Sequence, residues 1–282
     1  PPRLAPQARV HPFIEELLAS EKSLDALIVC SPPKYHADAV LAGLRAGLHV
    51  LCEKPLTLDL EAYVAISEAA ATAERAVWSV NNWAYSAQWS ALLRLARSGR
   101  LGRIHEARID VLRTKPSVSA LPGDWRKDPS ISGGGILVDH GWHNLYLMRG
   151  LLGEELELVE TVLSPAGTVD EVAELFLRAG EAQGRLYMTW RAHERANTAF
   201  VAGDRGTAEL LDDRLIVKID GKTEALAFPE KLSAGSAHPE WLSAMWPAFE
   251  DACARRAGNL AEAAFCLKTI RAAYGAPEAA AR

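Results

Sequence analysis

The stretch "DALIVCSPPKYHADAVLAGLRAGLHVLCEKP", residues 25–55, decides the fold, because it has the pattern of a strand, a helix and a second strand. Its first apolar run ends at Ser31-Pro-Pro, and a helical pattern then continues as far as Gly47. A second apolar run, 48–52, ends at Glu53-Lys-Pro. Short continuous apolar runs are typical of strands buried on both faces, as in parallel sheets. The stretch therefore predicts a right-handed βαβ unit.

The same alternation continues downstream and then changes. A helical pattern over 58–74 and a third apolar run at 76–82 extend the parallel sheet. Between 155 and 228 the segments are short and alternate polar with apolar, which indicates an antiparallel sheet, and helical patterns follow at 238–256 and 259–274. We expect an α/β chain in three parts: a partial, doubly wound parallel domain at 1–82, an α+β domain with a mainly antiparallel, open-faced sheet at 83–274, and a frayed tail at 275–282.

The composition is that of a globular protein, since 49% of the 282 residues are hydrophobic, 24% are charged and the formal net charge is −5. Without a basic block the chain lacks the charge that attracts nucleic acids or anionic membranes, so neither is expected as a partner. No apolar run reaches the roughly 18 residues of a membrane span, and the first residues lack the apolar core of a secretion signal. The four cysteines form no CxxC pair, which favours unpaired thiols and a cytoplasmic location.

Polar residues follow the predicted parallel strands, at the sheet edge where α/β proteins bind their ligands. Lys54 comes directly after the second strand, where its charge could stabilise an alkoxide at the mouth of a cleft. The alternative is a solvated lysine paired with Glu53. Ser31 could cap the helix that follows it, or the backbone amides there could meet an anionic or ribose group. His36, on the first helical turn, is interpreted as a surface or packed histidine.

The stretch "SGGGILVDHGWHNLYLMRGLLG", residues 132–153, predicts a buried helix that carries three titratable groups. Asp139 and His143 are i,i+4 neighbours on one face, which Tyr146 continues, whereas His140 points about 100° away. An Asp beside a His orients the imidazole and raises its basicity, so this pair suits a general acid/base. The alternative is a structural pair that ties the helix to a loop.

Two further interpretations concern the same region. A metal site formed by Asp139, His140 and His143 is disfavoured, because the spacing is not HExxH and the first two side chains diverge. The three glycines from Gly133 permit a close backbone approach to a neighbouring group. In the preceding loop, the residues at 124–126 (Asp-Trp-Arg) could clasp a hydroxylated substrate or anchor the loop.

Together these motifs resemble the glucose–fructose oxidoreductase/inositol dehydrogenase (Gfo/Idh/MocA) family. Five segments stand in that family's order and at its spacing: residues 25–57, "SVNNWAYSAQW" at 79–89, "GRLGRIHEARI" at 99–109, "DWRKDP" at 124–129 and "SGGGILVDHGWH" at 132–143. The resemblance implies a Rossmann domain followed by a substrate and oligomerisation domain. It implies an enzyme that moves a hydride between NAD or NADP and a sugar, cyclitol or related polyol.

The resemblance also implies roles for individual residues. Lys54 would touch the nicotinamide ribose and the reacting oxygen of the substrate, His143 would be the general acid/base, and Asp139 would assist it. The residues along the cofactor would be Ser31, Pro32, Pro33, His36, Glu53, Lys54 and Asn82. The residues on the substrate side would be Tyr85, Trp125, Arg126 and Tyr146. No metal is implied, and His140 is expected only to pack behind the site.

One departure from the family is large. Members begin with an apolar strand, a GxGxxG loop and the helix N-terminus that holds the pyrophosphate, whereas residues 1–24 contain no glycine. Two explanations stay open: the chain is a fragment of a longer enzyme, which the intact downstream residues favour, or it is a short homologue with weak or no cofactor binding. The position that distinguishes NAD from NADP would lie in the missing segment.

Three functions remain open from the sequence. The first is an NAD(P)-dependent dehydrogenase or reductase, the second an NAD-assisted glycosidase on the same scaffold, and the third a non-catalytic homologue that binds sugar or assembles with other proteins. The joint presence of Lys54, Asp139 and His143 favours catalysis. The segments at 156–164 and 171–179 carry apolar residues on both faces, which predicts a homodimer or homotetramer formed through the antiparallel sheet.

Overall fold

The computed structural model describes residues 8–116, 128–166, 169–235 and 238–275. A parallel sheet of order β1-β2-β3 is formed by β1 (Ala26–Val29), β2 (His49–Cys52) and β3 (Val77–Ser79). Helix α1 (Ile14–Ser20) precedes it, and the strands are connected through α2 (His36–Arg45) and α3 (Leu60–Ala73). The βαβ arrangement predicted from the sequence is confirmed.

Local chemistry sets the boundaries of these helices. The Asp59 side chain accepts a hydrogen bond of 2.7 Å from the backbone N–H of Ala62 and so caps α3. Gly47 follows α2 with a φ of +75°, a conformation that costs glycine little. The expectation that both apolar runs form doubly buried strands holds for β2 but is wrong for β1, where Ile28 is 52% exposed.

An eight-stranded sheet forms the other half of the molecule, in the order β11-β10-β9-β8-β4-β7-β6-β5. Neighbouring strands are antiparallel except β4 and β7, which are parallel. Its strands are β4 (Ile104–Leu112), β5 (Glu157–Ser164), β6 (Val172–Ala179), β7 (Ala182–Thr189), β8 (Ala196–Gly203), β9 (Gly206–Leu211), β10 (Arg214–Ile219) and β11 (Lys222–Ala227). The predicted mainly antiparallel sheet is therefore confirmed.

Helices cover one face of this sheet and join it to the parallel half. Three of them pack on the strands: α4 (Ala87–Arg97), α6 (Trp142–Leu152) and α8 (Leu260–Ala273). On β4 the buried Ile109 alternates with Arg108 and Asp110, which lie on the opposite face. Helix α7 (Pro239–Arg255) packs on a short 3₁₀ turn at 82–85. One apolar core runs through both halves, since Val50 and Leu210 belong to the same buried cluster.

The stretch that the sequence predicts as one helix is broken into pieces. A short helix α5 (Pro129–Ser132) ends at Gly133, whose φ is +83°, and a π-helical turn spans Leu137–Gly141 before α6 begins. The prediction of a single regular helix over 132–153 is therefore wrong, although its burial is confirmed.

Within the described residues, the structure contains no helix with the length and apolar character that crossing a membrane requires.

Candidate active site

A buried carboxylate from the second sheet holds the start of the site helix. Asp170, at the turn before β6, is fully buried, and its carboxylate accepts hydrogen bonds of 2.9 Å from the backbone N–H groups of both Gly135 and Leu137. The Tyr274 hydroxyl donates to the same carboxylate. A Cβ on Gly135 would lie 2.0 Å from the Asp170 carbonyl oxygen, so this position requires glycine. The close approach expected of the triglycine is thus made to Asp170.

Lys54 and Asp139 join the two halves of the molecule. The Lys54 ammonium lies 3.1 Å from Asp139 Oδ1 and also donates to the Asp139 backbone carbonyl. Both side chains are largely buried, with 15% and 20% exposed. The alternative of a solvated lysine paired with Glu53 is therefore wrong, because the ammonium is held in place by a residue 85 positions away. The peptide bond between Lys54 and Pro55 is cis.

The π-helical turn changes which side chains meet. The His140 imidazole Nε2 lies 3.6 Å from Asp139 Oδ2, and the rings of His140 and His143 both lie against the Trp83 indole, with centroid distances of 6.0 and 4.8 Å. The His143 ring is stacked on Trp83 with an angle of 8° between planes. The expectation that His140 points away from the site is wrong, because a π-helical turn spaces side chains differently from an α-helix.

Burial controls the protonation of both histidines. Desolvation lowers the pKa of His140 to about 3, although the Asp139 charge opposes this. Burial also lowers the pKa of His143 well below its usual value, and the Lys54 charge adds to the effect. The sequence predicted that Asp139 would raise the basicity of His143. Its charge acts in that direction, but desolvation outweighs it, so both imidazoles are neutral at pH 7.

A cavity of about 150 Å³ lies at the carboxyl ends of β1 and β2, where the sequence placed the ligand. The Lys54 and Asp139 pair lines one side of it, and His143 is not among the lining residues. The other lining residues are Cys30, Ser31, Pro33, Glu53, Pro55, Ser132, Gly134, Gly135, Val138 and Trp190.

Two polar atoms at this cavity have no hydrogen-bond partner among the described residues: the Ser31 hydroxyl oxygen and the Trp190 indole Nε1. Both are buried, and buried polar groups normally find a partner. Ser31 was considered as a helix cap, but α2 has no side-chain cap, so that interpretation is wrong. Both atoms therefore have a hydrogen-bonding capacity that the described residues do not use.

His36 connects the neighbouring loops. Its two ring nitrogens lie 2.7 Å from the carbonyl oxygens of Pro55 and Ser31, and its side chain is fully buried. His36 thus joins the two strand-end turns, and a cofactor contact for it stays a prediction. Pro33 lines the cavity and begins a 3₁₀ turn after Pro32.

Three further residues expected near cofactor or substrate do not line this cavity. Tyr85 packs against a small apolar cluster that includes Phe249, and Asn82 is half-buried at the start of the 3₁₀ turn. The buried Tyr146 hydroxyl lies 2.9 Å from His143 Nδ1, so it contacts the histidine instead of lining the cavity beside Lys54. Trp125 and Arg126 lie outside the described residues.

Sequence reasoning missed Trp83, Trp190 and Asp170. Trp83 and Tyr85 share one 3₁₀ turn, in which three residues per turn place them on different sides. The ring that stacks on His143 is that of Trp83, whereas the sequence pointed to Tyr85. Trp190 comes directly after β7, and its place as an aromatic residue at a strand end is the sequence feature that could have indicated it. Across the described part of the chain, no group of three or more His, Cys, Asp or Glu side chains is arranged to hold a metal ion.

The chain is similar to several known dehydrogenases. The curated relatives include an inositol 2-dehydrogenase of Rhizobium meliloti, 27% identical over 185 residues, which are 63% of this chain and 54% of that protein. They also include a levoglucosan dehydrogenase of Pseudarthrobacter phenanthrenivorans, 25% identical over 82% of this chain and 67% of that protein. The chain spans about half the length of the first curated relatives it matches.

A solved levoglucosan dehydrogenase in complex with NADH and levoglucosan has the same fold, with a TM-score of 0.82 and 21% identity over 97% of this chain and 84% of that one. Two family models match the sequence. The one described as "Oxidoreductase family, NAD-binding Rossmann fold" covers residues 4–81, and the one described as "GFO/IDH/MocA C-terminal domain" covers residues 89–209. The two matches together extend over most of the sequence, and on this basis the chain belongs to the GFO/IDH/MocA oxidoreductase family.

Proposed function

We propose that this protein is an NAD(P)-dependent oxidoreductase that transfers a hydride to or from a CH–OH carbon of a sugar, cyclitol or related polyol. One observation carries the proposal: an ammonium fixed by Asp139 at the carboxyl end of the parallel sheet, beside the buried His143. Hydride transfer at such a carbon turns a hydroxyl into a carbonyl, or the reverse, so negative charge develops on one oxygen. A fixed ammonium is the group that stabilises such a charge.

The described residues fit the reactive end of a nicotinamide cofactor. Ser31 has an unpartnered hydroxyl at the cavity, Glu53 has a carboxylate there, and both follow parallel strands. We assign Ser31, Pro32, Pro33, Glu53 and Lys54 to its binding. When bound, the cofactor would accept or supply the hydride. The residues of this chain must then orient the substrate, stabilise its oxygen and exchange its proton.

Lys54, His143 and Asp139 divide these tasks. The Lys54 ammonium faces the cavity and stabilises the oxygen, and Asp139 keeps it in place through two hydrogen bonds. Lys54 lines the cavity and could exchange a proton with this oxygen, and we propose His143, which lies behind the lining, as the group that supports it. The unpaired Trp190 N–H offers a further donor to a substrate hydroxyl. Removing a fixed charge or an acid/base group of this kind lowers turnover by about 10² to 10⁴.

The first experiment is a calorimetric titration of this chain with NAD and with NADP, followed by a screen of sugars and cyclitols for NADH or NADPH formation. Micromolar binding with net formation of reduced cofactor supports the proposal. Binding with glycoside cleavage but no net reduced cofactor would identify the NAD-assisted glycosidase. Absence of binding to both nucleotides contradicts the proposal for this chain.

The residue-level test uses Lys54→Met and His143→Gln, with Lys22→Met as the control. Lys22 is exposed and its ammonium donates to the Leu18 carbonyl on its own helix, so we expect its removal to leave turnover unchanged. We expect each of the two site variants to lose about 10² to 10⁴ in kcat. Wild-type turnover in both site variants would show that the reacting oxygen is bound elsewhere.

We further propose that the protein is a homodimer or homotetramer formed through the eight-stranded sheet. Val159 and Val162 on β5 are 58% and 48% exposed, and they project from the strand at the edge of this sheet. Large exposed apolar side chains on a sheet favour association. Sedimentation velocity at micromolar concentration tests this, and a single monomeric species would refute it.

A further inference from the structure

Among the described residues, the hydroxyl of Tyr146 has two hydrogen-bond partners, and both belong to the candidate site. It lies 2.9 Å from His143 Nδ1 and accepts a hydrogen bond of 3.2 Å from the backbone N–H of Trp83. The indole of Trp83 is stacked on the His143 ring, so one residue fixes the imidazole plane and the position of the phenol oxygen together. Tyr146 is only 4% exposed and His143 only 6%, so their hydrogen bonds compete little with bulk water.

The hydrogens of this arrangement can be assigned by elimination. A backbone N–H can only donate, so Trp83 occupies one lone pair of the Tyr146 oxygen. The phenol then has one hydrogen to place, and His143 Nδ1 is the acceptor that the described residues offer it. If Nδ1 carried a hydrogen instead, a buried phenol hydrogen would lack a protein acceptor, and an unsatisfied buried donor is costly. Nδ1 is therefore the unprotonated nitrogen.

The charges around the pair keep both groups neutral. Burial lowers the pKa of His143, with the Lys54 charge and His140 acting in the same direction, Asp139 opposing them and Arg113 adding a smaller lowering. Burial raises the pKa of Tyr146 well above its usual value, and Glu262 adds to this. A neutral imidazole with an unprotonated Nδ1 must carry its hydrogen on Nε2.

We propose that Tyr146 is a positioning residue that holds His143 in the Nε2–H tautomer, so that the imidazole can offer a substrate oxygen only a neutral hydrogen-bond donor. The second half of this inference rests on the proposed function, and the first half does not. A neutral Nε2–H stabilises negative charge on an oxygen but is a poor proton donor, because losing the hydrogen would leave an imidazolate. Proton exchange with the substrate then falls to Lys54.

The test is nitrogen NMR of the chain labelled with ¹⁵N-histidine, without cofactor or substrate. The His143 signals are identified by their loss in His143→Gln. We expect a pyridine-like Nδ1 and a pyrrole-like Nε2 that stay constant from pH 6 to pH 8. A pyrrole-like Nδ1 in the unmodified protein would overturn the inference, even if the site variants prove unstable.

The variant Tyr146→Phe removes only the hydroxyl, and Tyr63→Phe is its matched control, because the Tyr63 hydroxyl donates to the Leu260 carbonyl and has no hydrogen bond with a histidine of the described residues. We expect the His143 signals to move toward a tautomer mixture in Tyr146→Phe and to stay in place in Tyr63→Phe. Unchanged signals in Tyr146→Phe refute the positioning role. In an active enzyme, Tyr146→Phe should lower kcat about tenfold with little change in KM, and an unchanged kcat refutes the catalytic half. Because the spectra require no turnover, they separate a failure of this inference from a failure of the proposed function.

Discussion

Replacing Asp170 by asparagine tests whether one carboxylate holds the site helix in its broken form. The change keeps the size of the side chain but exchanges one acceptor oxygen for an NH₂ group. In the structure the two carboxylate oxygens accept from Gly135 N–H and Leu137 N–H at 2.9 Å each, and Tyr274 donates as well. Whichever way the amide is turned, at least one buried backbone N–H faces another donor.

The magnitude follows from these contacts. A hydrogen bond to a charged group contributes roughly 1.5 to 3 kcal/mol, and a buried donor left without an acceptor costs about 1 to 3 kcal/mol more. We therefore expect Asp170→Asn to lower the free energy of unfolding by about 3 kcal/mol or more. Asp59→Asn is the matched control, since Asp59 also accepts a backbone N–H at a helix start but is exposed, and asparagine caps a helix about as well as aspartate.

Urea unfolding of the three proteins, followed by circular dichroism, measures the difference. The midpoint should fall for Asp170→Asn with little change in the slope m, and Asp59→Asn should stay within about 0.5 kcal/mol of the unmodified protein. A loss below about 1 kcal/mol in Asp170→Asn would refute the reasoning, because it would show that the N–H groups find other acceptors.

Three further outcomes are expected. The pKa of His140 and of His143 is lower in the folded protein than in the unfolded chain, so the unfolded state binds more protons below about pH 6.5. The free energy of unfolding should therefore be highest above that pH and fall by about 1.4 kcal/mol per pH unit for each histidine as the pH drops toward the folded-state pKa. Measured by urea unfolding at several pH values, His140→Gln should remove the contribution of one histidine from this slope. Gly135→Ala would place a Cβ 2.0 Å from a backbone oxygen and should lower the melting temperature of the protein strongly. In Gly150→Ala the nearest atom to the new Cβ, at 2.8 Å, is the end of a flexible side chain, so this variant should melt close to the unmodified protein. Equal melting temperatures for the two variants would contradict the packing described. Trp83→Leu removes the ring that stacks on His143 and should lower kcat by about tenfold, and an unaltered kcat would show that the stack is dispensable.

The periodicity of the sequence predicted the element types well, because each depends on neighbours a few residues apart. The strand–helix–strand pattern at 25–55 and the alternation after residue 155 are both present in the structure. The order of the large sheet, with β4 inserted between β7 and β8, could not be predicted in this way. It depends on pairings between strands more than 70 residues apart, and alternation along one strand says nothing of its partner.

The arrangement around the cavity was predicted in part. Lys54 and Asp139 come together at the predicted sheet edge, since the motifs fix their places on the elements, and the catalytic roles given to them and to His143 stay predictions. The π-helical turn was missed because the backbone N–H groups at its start are bonded to the carboxylate of Asp170, which lies 33 positions beyond Leu137, outside the reach of local periodicity. The sign of the His143 pKa shift was missed because local spacing reveals the Asp139 charge but not the burial that outweighs it.

The hydrogen bonds between Lys54 and Asp139 also constrain how the two halves of the chain can be exchanged during evolution. The lysine follows strand β2 of the parallel sheet, the aspartate lies in the π-helical turn before α6, and a common apolar core lies beneath both halves. A recombination that exchanged one half for that of a distant relative would therefore have to match a salt bridge and a packed interior at once.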